Sequence, residues 1–132
     1  MHPALIDTPV WIDFFHGKEN QQTILTRRLL EEEIPVYTCP LVIQEVLQGV
    51  KNDSDYENVK LNLLNLEILF IEQIEAAIGA ADLYRSLRKK GLTIKKINDC
   101  TIAFFAIYFS IHLLHKDNDF NLIARKTNLK VL

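Results

Sequence analysis

This chain is sparing with the residues that cross-link or punctuate a fold. Its 132 residues include two cysteines, four glycines, four prolines and one tryptophan. Two cysteines, Cys39 and Cys100, make no disulfide framework, and a reducing, cytoplasmic setting is expected. No apolar run reaches the ~18–20 residues that cross a bilayer. The longest, TIAFFAIYFSI over 101–111, suits a buried helix. The opening MHPALID lacks a basic start followed by an apolar stretch, so no signal peptide and no membrane association are expected. Repeats, low-complexity tracts and long linkers are missing too. Formal net charge is only -2, so global charge does not advertise a nucleic-acid binder, and any such role must rest on local charge. What is present is the balance of an ordinary globular protein, 48% apolar and 24% charged, in a length that fits one compact domain over 1–132.

Short apolar runs alternate with helical patterns. PALI (3–6) reads as a first strand, and Pro9 suits the first turn of a helix through VWIDFF, ended by His16-Gly17. NQQTILTRRLLEEE (20–33) is an amphipathic helix with Ile24, Leu25, Arg28 and Leu29 on one side. IPVYT (34–38) is a second strand, and PLVIQEVLQG (40–49) a helix that opens with Pro and closes with Gly. KNDSD (51–55) reads as a turn, 56–66 as a helix and EILFI (67–71) as a third strand. A long helix over 73–90 stops at Gly91. A buried helix over 99–110 is followed by the strand IHLLH (111–115), and LKVL (129–132) is a candidate fifth. This alternation predicts an α/β domain with a mostly parallel sheet of four or five strands. Ligand sites in such sheets lie beyond the carboxyl ends of the strands.

Four carboxylates stand in unusual places. Asp7 closes the first strand. Glu45 shares a helix face with Leu41 and Val42, so it is expected to point inward. Asp99 heads a helix on the face of Ile102, Ala103 and Ala106. Asp117 follows the strand IHLLH, at the same edge as Asp7. Each has an ordinary explanation: Asp7 or Asp99 as a helix-terminal acid, Glu45 as a partly exposed residue or a partner of a basic one, Asp117 as a turn residue. Together they form a pattern. Buried carboxylates repel one another and resist ionising. A hard divalent cation such as Mg2+ or Mn2+ relieves both effects, keeps waters, and leaves room for a phosphate oxygen. No His/Cys set has zinc spacing.

With these residues in view, the chain resembles the PIN-domain ribonucleases, and within them the VapC-type toxins of toxin–antitoxin pairs. The blocks that carry the resemblance are LIDTPVWIDFF, TCPLVIQEVLQG, LYRSLRKKGLTIKKINDCTIAFFAI and LLHKDNDFNLIA, which together cover essentially the whole chain. The resemblance implies a three-layer α/β/α fold and metal-dependent hydrolysis of RNA. It also implies a protein antitoxin as inhibitor and a homodimer. It assigns Asp7, Glu45, Asp99 and Asp117 to one or two Mg2+ or Mn2+ ions. Thr8 would orient a carboxylate or a metal-bound water, and Asp119 would assist from behind the ligands. One departure is His115, where many relatives carry Thr or Ser. Asp13 is expected to face away from the site.

Between Asp82 and Asp99 there is no acid, yet Arg85, Arg88, Lys89, Lys90, Lys95 and Lys96 all occur. Such local charge attracts phosphates. For Arg85, Arg88, Lys89 and Lys90, a solvated helix end is the competing explanation. Lys95 and Lys96, beside Asp99, are favoured as RNA contacts. Trp11, Phe14 and Phe15 are expected in the core or a dimer interface. His112 and His115 are read as structural, on opposite faces of a strand, and Cys100 as a small buried hydrophobe. A response-regulator receiver would need an aspartate after the third strand, which ends ILFIEQ. A haloacid-dehalogenase-type phosphatase would need one at Pro9. A non-catalytic scaffold of the same fold remains the alternative, and retention of all four acids speaks for the enzyme.

Overall fold

The computed structural model describes residues 1–132. In chain order the elements are β1 (Ala4–Ile6), α1 (Thr8–Phe15), α2 (Gln21–Glu31), β2 (Val36–Thr38), α3 (Pro40–Gln48) and α4 (Asp53–Leu64). There follow β3 (Glu67–Ile68), α5 (Gln73–Lys89), α6 (Ile97–Tyr108), β4 (His112–Leu114) and α7 (Asn118–Ala124). The strands form one all-parallel sheet in the order β3-β2-β1-β4. β1 is central, with Ala4 beside Val36 on one flank and His112 on the other. Ala4, Leu5 and Ile6 are all fully buried. Successive strand side chains point to opposite faces, so both faces of the sheet are covered by helices, as a parallel sheet requires. Parallel pairing also sends β1, β2 and β4 out at one edge, which places Asp7, Cys39 and the His115–Asp117 turn on the same side of the molecule.

Local chemistry explains most element ends. Pro9 and Pro40 sit in the first turns of α1 and α3, where a missing N–H is harmless. Asn20 and Thr23 form a reciprocal cap on α2. Glu72 accepts hydrogen bonds from the N–H groups of Ile74 and Glu75 at the head of α5. Gly91 ends that region with φ +88°, a left-handed conformation that side chains disfavour. Trp11 is buried and Phe14 and Phe15 pack partly against the core, as expected.

Several boundaries differ from the sequence reading. α4 begins at Asp53, inside the stretch read as a turn. The Asn52 side chain accepts from the N–H groups of Ser54 and Asp55, and the acids of the first turn suit the helix dipole. β3 is two residues long: its pairing with β2 ends at the hydrogen bond from the Leu69 N–H to the Thr38 carbonyl, and Phe70 beyond it is exposed. Residues 129–132 make one bridge, Leu113 to Val131, instead of a strand. On α2 the buried residues are Thr23, Thr26 and Leu29, while Ile24 and Arg28 lie outward. α6 starts at Ile97, so Asp99 is its third residue rather than its head.

Candidate metal centre and active site

β1 carries Asp7 directly to the sheet edge. It occupies the cap position of α1, but its carboxylate makes no capping hydrogen bond. The capping explanation therefore does not account for it, and the side chain is buried at 3% exposure. Burial pushes its pKa up to about 7. The Thr8 N–H opposes that rise, and the charges of Asp99, Glu45 and Asp117 add to it.

Asp99 comes to the same edge from the first turn of α6. It too is buried, and its Oδ2 has no hydrogen-bond partner. Its pKa rises to about 6, first through burial and then through Asp117, with Lys96 opposing. Asp117 caps α7: its Oδ1 accepts from the Asp119 N–H at 2.9 Å, and its Oδ2 lies 3.6 Å from the Lys96 ammonium. Carboxylate oxygens of Asp99, Asp117 and Asp119 all lie within 4.8 Å of one another. Asp119, expected only to assist, thus stands in the tightest group of acids.

Glu45 corrects its expectation. It is half-buried on the rim, not directed into the core. Thr8 Oγ1 donates to its Oε1 at 2.7 Å, and Asn98 Nδ2 donates to its Oε2 at 3.2 Å. Leu41 is itself only half-buried, so the helix face that carries Glu45 is partly open at this edge. Asn98 was not singled out from sequence, although its place directly before Asp99 was a usable signal. Asp7 and Glu45 lie outside the Asp99–Asp117–Asp119 trio; the charge of Glu45 bears on Asp99, and those of Asp99 and Asp117 bear on Asp7.

The donor set suits a hard divalent cation. It offers oxygens only, several carboxylates crowd together, and a buried Asp99 oxygen is left without a proton donor. The positive group that reaches these acids is Lys96, an exposed side chain 3.6 Å from Asp117 Oδ2. Lys95 and Lys96 are both exposed, in the segment leading into α6. Arg85 lines a cleft of about 350 Å³ between α5 and α6. The Arg88 guanidinium lies over the Tyr84 ring. Asp13 faces elsewhere, paired with Lys116 and Asn20.

His112 stacks on His2 at the opposite end of the strands. His115 is buried just beyond β4, and burial lowers its pKa. Cys39 and Cys100 are buried, and burial pushes both thiols up to about 11, so neither is a nucleophile.

An all-parallel α/β domain with an all-oxygen acidic centre at the carboxyl edge of its sheet is thus the class of protein in hand. The PIN domain family model matches residues 4–126. Over 127 residues the chain is 35% identical to the VapC ribonuclease Mb1587 of Mycobacterium bovis, covering 96% of this chain and 95% of that protein. The same figures hold for Ribonuclease VapC11 of Mycobacterium tuberculosis. The fold superposes on VapBC2 from Rickettsia felis bound to a promoter DNA fragment, with TM-score 0.75 and 20% identity over 98% of this chain and 96% of that one. DNA-bound VapBC from Salmonella typhimurium gives TM-score 0.73 and 19% identity over 100% and 98%. The chain belongs to the PIN-domain family and, within it, to the VapC ribonucleases.

Proposed function

We propose that this protein is a metal-dependent endoribonuclease acting as the toxin of a toxin–antitoxin pair. The observation that carries this reading is the crowding of Asp99, Asp117 and Asp119 beside buried Asp7, in a chain related to VapC ribonucleases over 96% of its length. Asp7, Glu45, Asp99 and Asp117 would hold Mg2+ or Mn2+, with Asp119 close enough to share in the task. A bound divalent ion supplies charge for a phosphate oxygen and a more acidic water. Hydrolysis joins the water oxygen to phosphorus and breaks one P–O ester bond, and the water's protons end on the products.

The chain's own groups set the geometry. Thr8 and Asn98 hold both oxygens of Glu45 in a fixed orientation. The Asp119 N–H holds one oxygen of Asp117. Lys96 offsets part of the acidic charge, and together with Lys95, Arg88 and Arg85 it forms the proposed path for the RNA backbone.

An antitoxin partner is supported by the VapBC complexes that share this fold. A homodimer is consistent with the exposed apolar side chains of Leu61, Leu64, Phe70, Ile74 and Ile78. No helix is long and apolar enough to cross a membrane.

The test is cleavage of purified cellular RNA with Mg2+ or Mn2+, beside EDTA and an Asp99→Asn variant prepared identically. Cutting that disappears in both controls is the expected result. RNA binding without cleavage in any metal would favour the scaffold.

A further inference from the structure

The burial of His115 agrees with the structural role expected of it. The position of its ring nitrogens adds more. Nδ1 accepts a hydrogen bond from the Asp117 backbone N–H at 3.2 Å, which requires the neutral imidazole with its proton on Nε2. Nε2 is buried without a hydrogen bond of good geometry, although the Asn121 side chain comes near enough to the ring to favour its proton. The ring is fixed at 5% exposure, tilted against Phe120 at 5.2 Å between centroids. Phe120 is itself fully buried in α7, so the acceptor cannot drift.

Asp117 is thereby tied at three of its polar groups. Its N–H goes to His115, its C=O accepts from the Phe120 N–H at 3.2 Å, and its Oδ1 accepts from the Asp119 N–H at 2.9 Å. Only Oδ2 remains outside this turn, beside Lys96 and the other acids.

We propose that His115 is a positioning residue, whose Nδ1 anchors the Asp117 backbone and so aims the free Asp117 carboxylate oxygen at the metal centre. This rests on the metal-site reading above. Hydrogen-bond partners standing behind a ligand typically change metal affinity about 10–100-fold when lost. Here the anchor acts through the backbone, so the lower end applies.

The test compares two variants of nearly equal shape. In His115→Asn, Oδ1 stands where Nδ1 stood and accepts the same N–H. In His115→Leu a methyl group takes that place. Both lose the imidazole ring against Phe120, and Leu is the better apolar filler, so a loss of affinity specific to His115→Leu reads the missing acceptor. Mn2+ affinity is measured by calorimetry at neutral pH, without RNA, on wild type, both variants and Asp99→Asn. The expected result is Mn2+ binding in wild type and little in Asp99→Asn. His115→Leu should be weakened about tenfold and His115→Asn should stay within about threefold of wild type. Wild-type affinity in His115→Leu, or equal losses in the two variants, would overturn the positioning role while leaving the metal site standing. Undiminished binding in Asp99→Asn would remove the metal site, and the proposal with it. If His115→Leu does not fold, the pair His115→Thr and His115→Val puts the same question, because only Thr offers an acceptor.

Discussion

The acidic sheet edge and the seam between α5 and α6 are built on opposite terms. At the seam, Gly79 lets α6 approach so closely that a Cβ at that position would stand 2.1 Å from the Phe104 ring. The groups that meet at this contact are apolar, and close packing is what they contribute. At the edge, Asp7 and Asp99 are buried next to like charges, and a buried Asp99 oxygen lacks a partner. One region supplies stability, and the other gives it up to keep carboxylates together. That asymmetry is expected where a site is held in an arrangement the chain would not otherwise favour.

The contrast is broken most severely at Asp99. Asp99→Asn is expected to lower metal-dependent RNA cleavage by more than about 100-fold, beyond the range seen for groups that merely support a ligand. Its thermal unfolding without metal should be no worse than wild type.

The seam should behave in the reverse way. Gly79→Ala is expected to cost about 1–3 kcal/mol of stability, the range for overpacking, because the Phe104 ring must give way. Chemical denaturation measures the loss, and activity per folded molecule should be retained.

Asp7→Asn sharpens the comparison through pH. The folded-state pKa of about 7 lies above the ordinary 3.8. Below 3.8 both states hold the proton and Asp7 costs nothing. Between 3.8 and about 7 the unfolded chain ionises first, so stability falls as pH rises, and above 7 the full cost is in place. In EDTA, Asp7→Asn should therefore exceed wild type by about 2–4 kcal/mol in alkaline buffer, with the gain vanishing near pH 4. Denaturation curves at the two pH values read this directly. Mn2+ should stabilise wild type and not the variant.

The smallest effect is electrostatic. Lys95→Ala together with Lys96→Ala should reduce the salt dependence of RNA binding, with the slope on log salt falling by about 1.4 for two contacts to a single strand. An unchanged slope would remove both lysines from the RNA path.

Much of this arrangement was legible in one dimension. The alternation of apolar runs with 3.6-residue patterns identified a parallel α/β sheet, because strand and helix periods are local properties. Asp7 and Asp117 fall at one edge because each lies just beyond a strand. Three of the elements that differ share one physical cause. The extent of β3, the inner face of α2 and the depth of Glu45 depend on what packs against them, and an apolar pattern does not say which neighbour arrives. Glu45 lies on the rim because Thr8 and Asn98, 37 and 53 residues away in sequence, reach its two oxygens.

By itself, the sequence determined the fold class, the family and the roster of acids, since these follow from residue types, their order and local periodicity. Only the tertiary structure decided which of those acids stand together. It drew Asp119 into the trio with Asp99 and Asp117 and placed the His115 imidazole behind Asp117. It also raised Asp7 to about 7. Distance and burial govern carboxylate repulsion, and both are set by chain segments that are remote in sequence and meet only when the sheet forms.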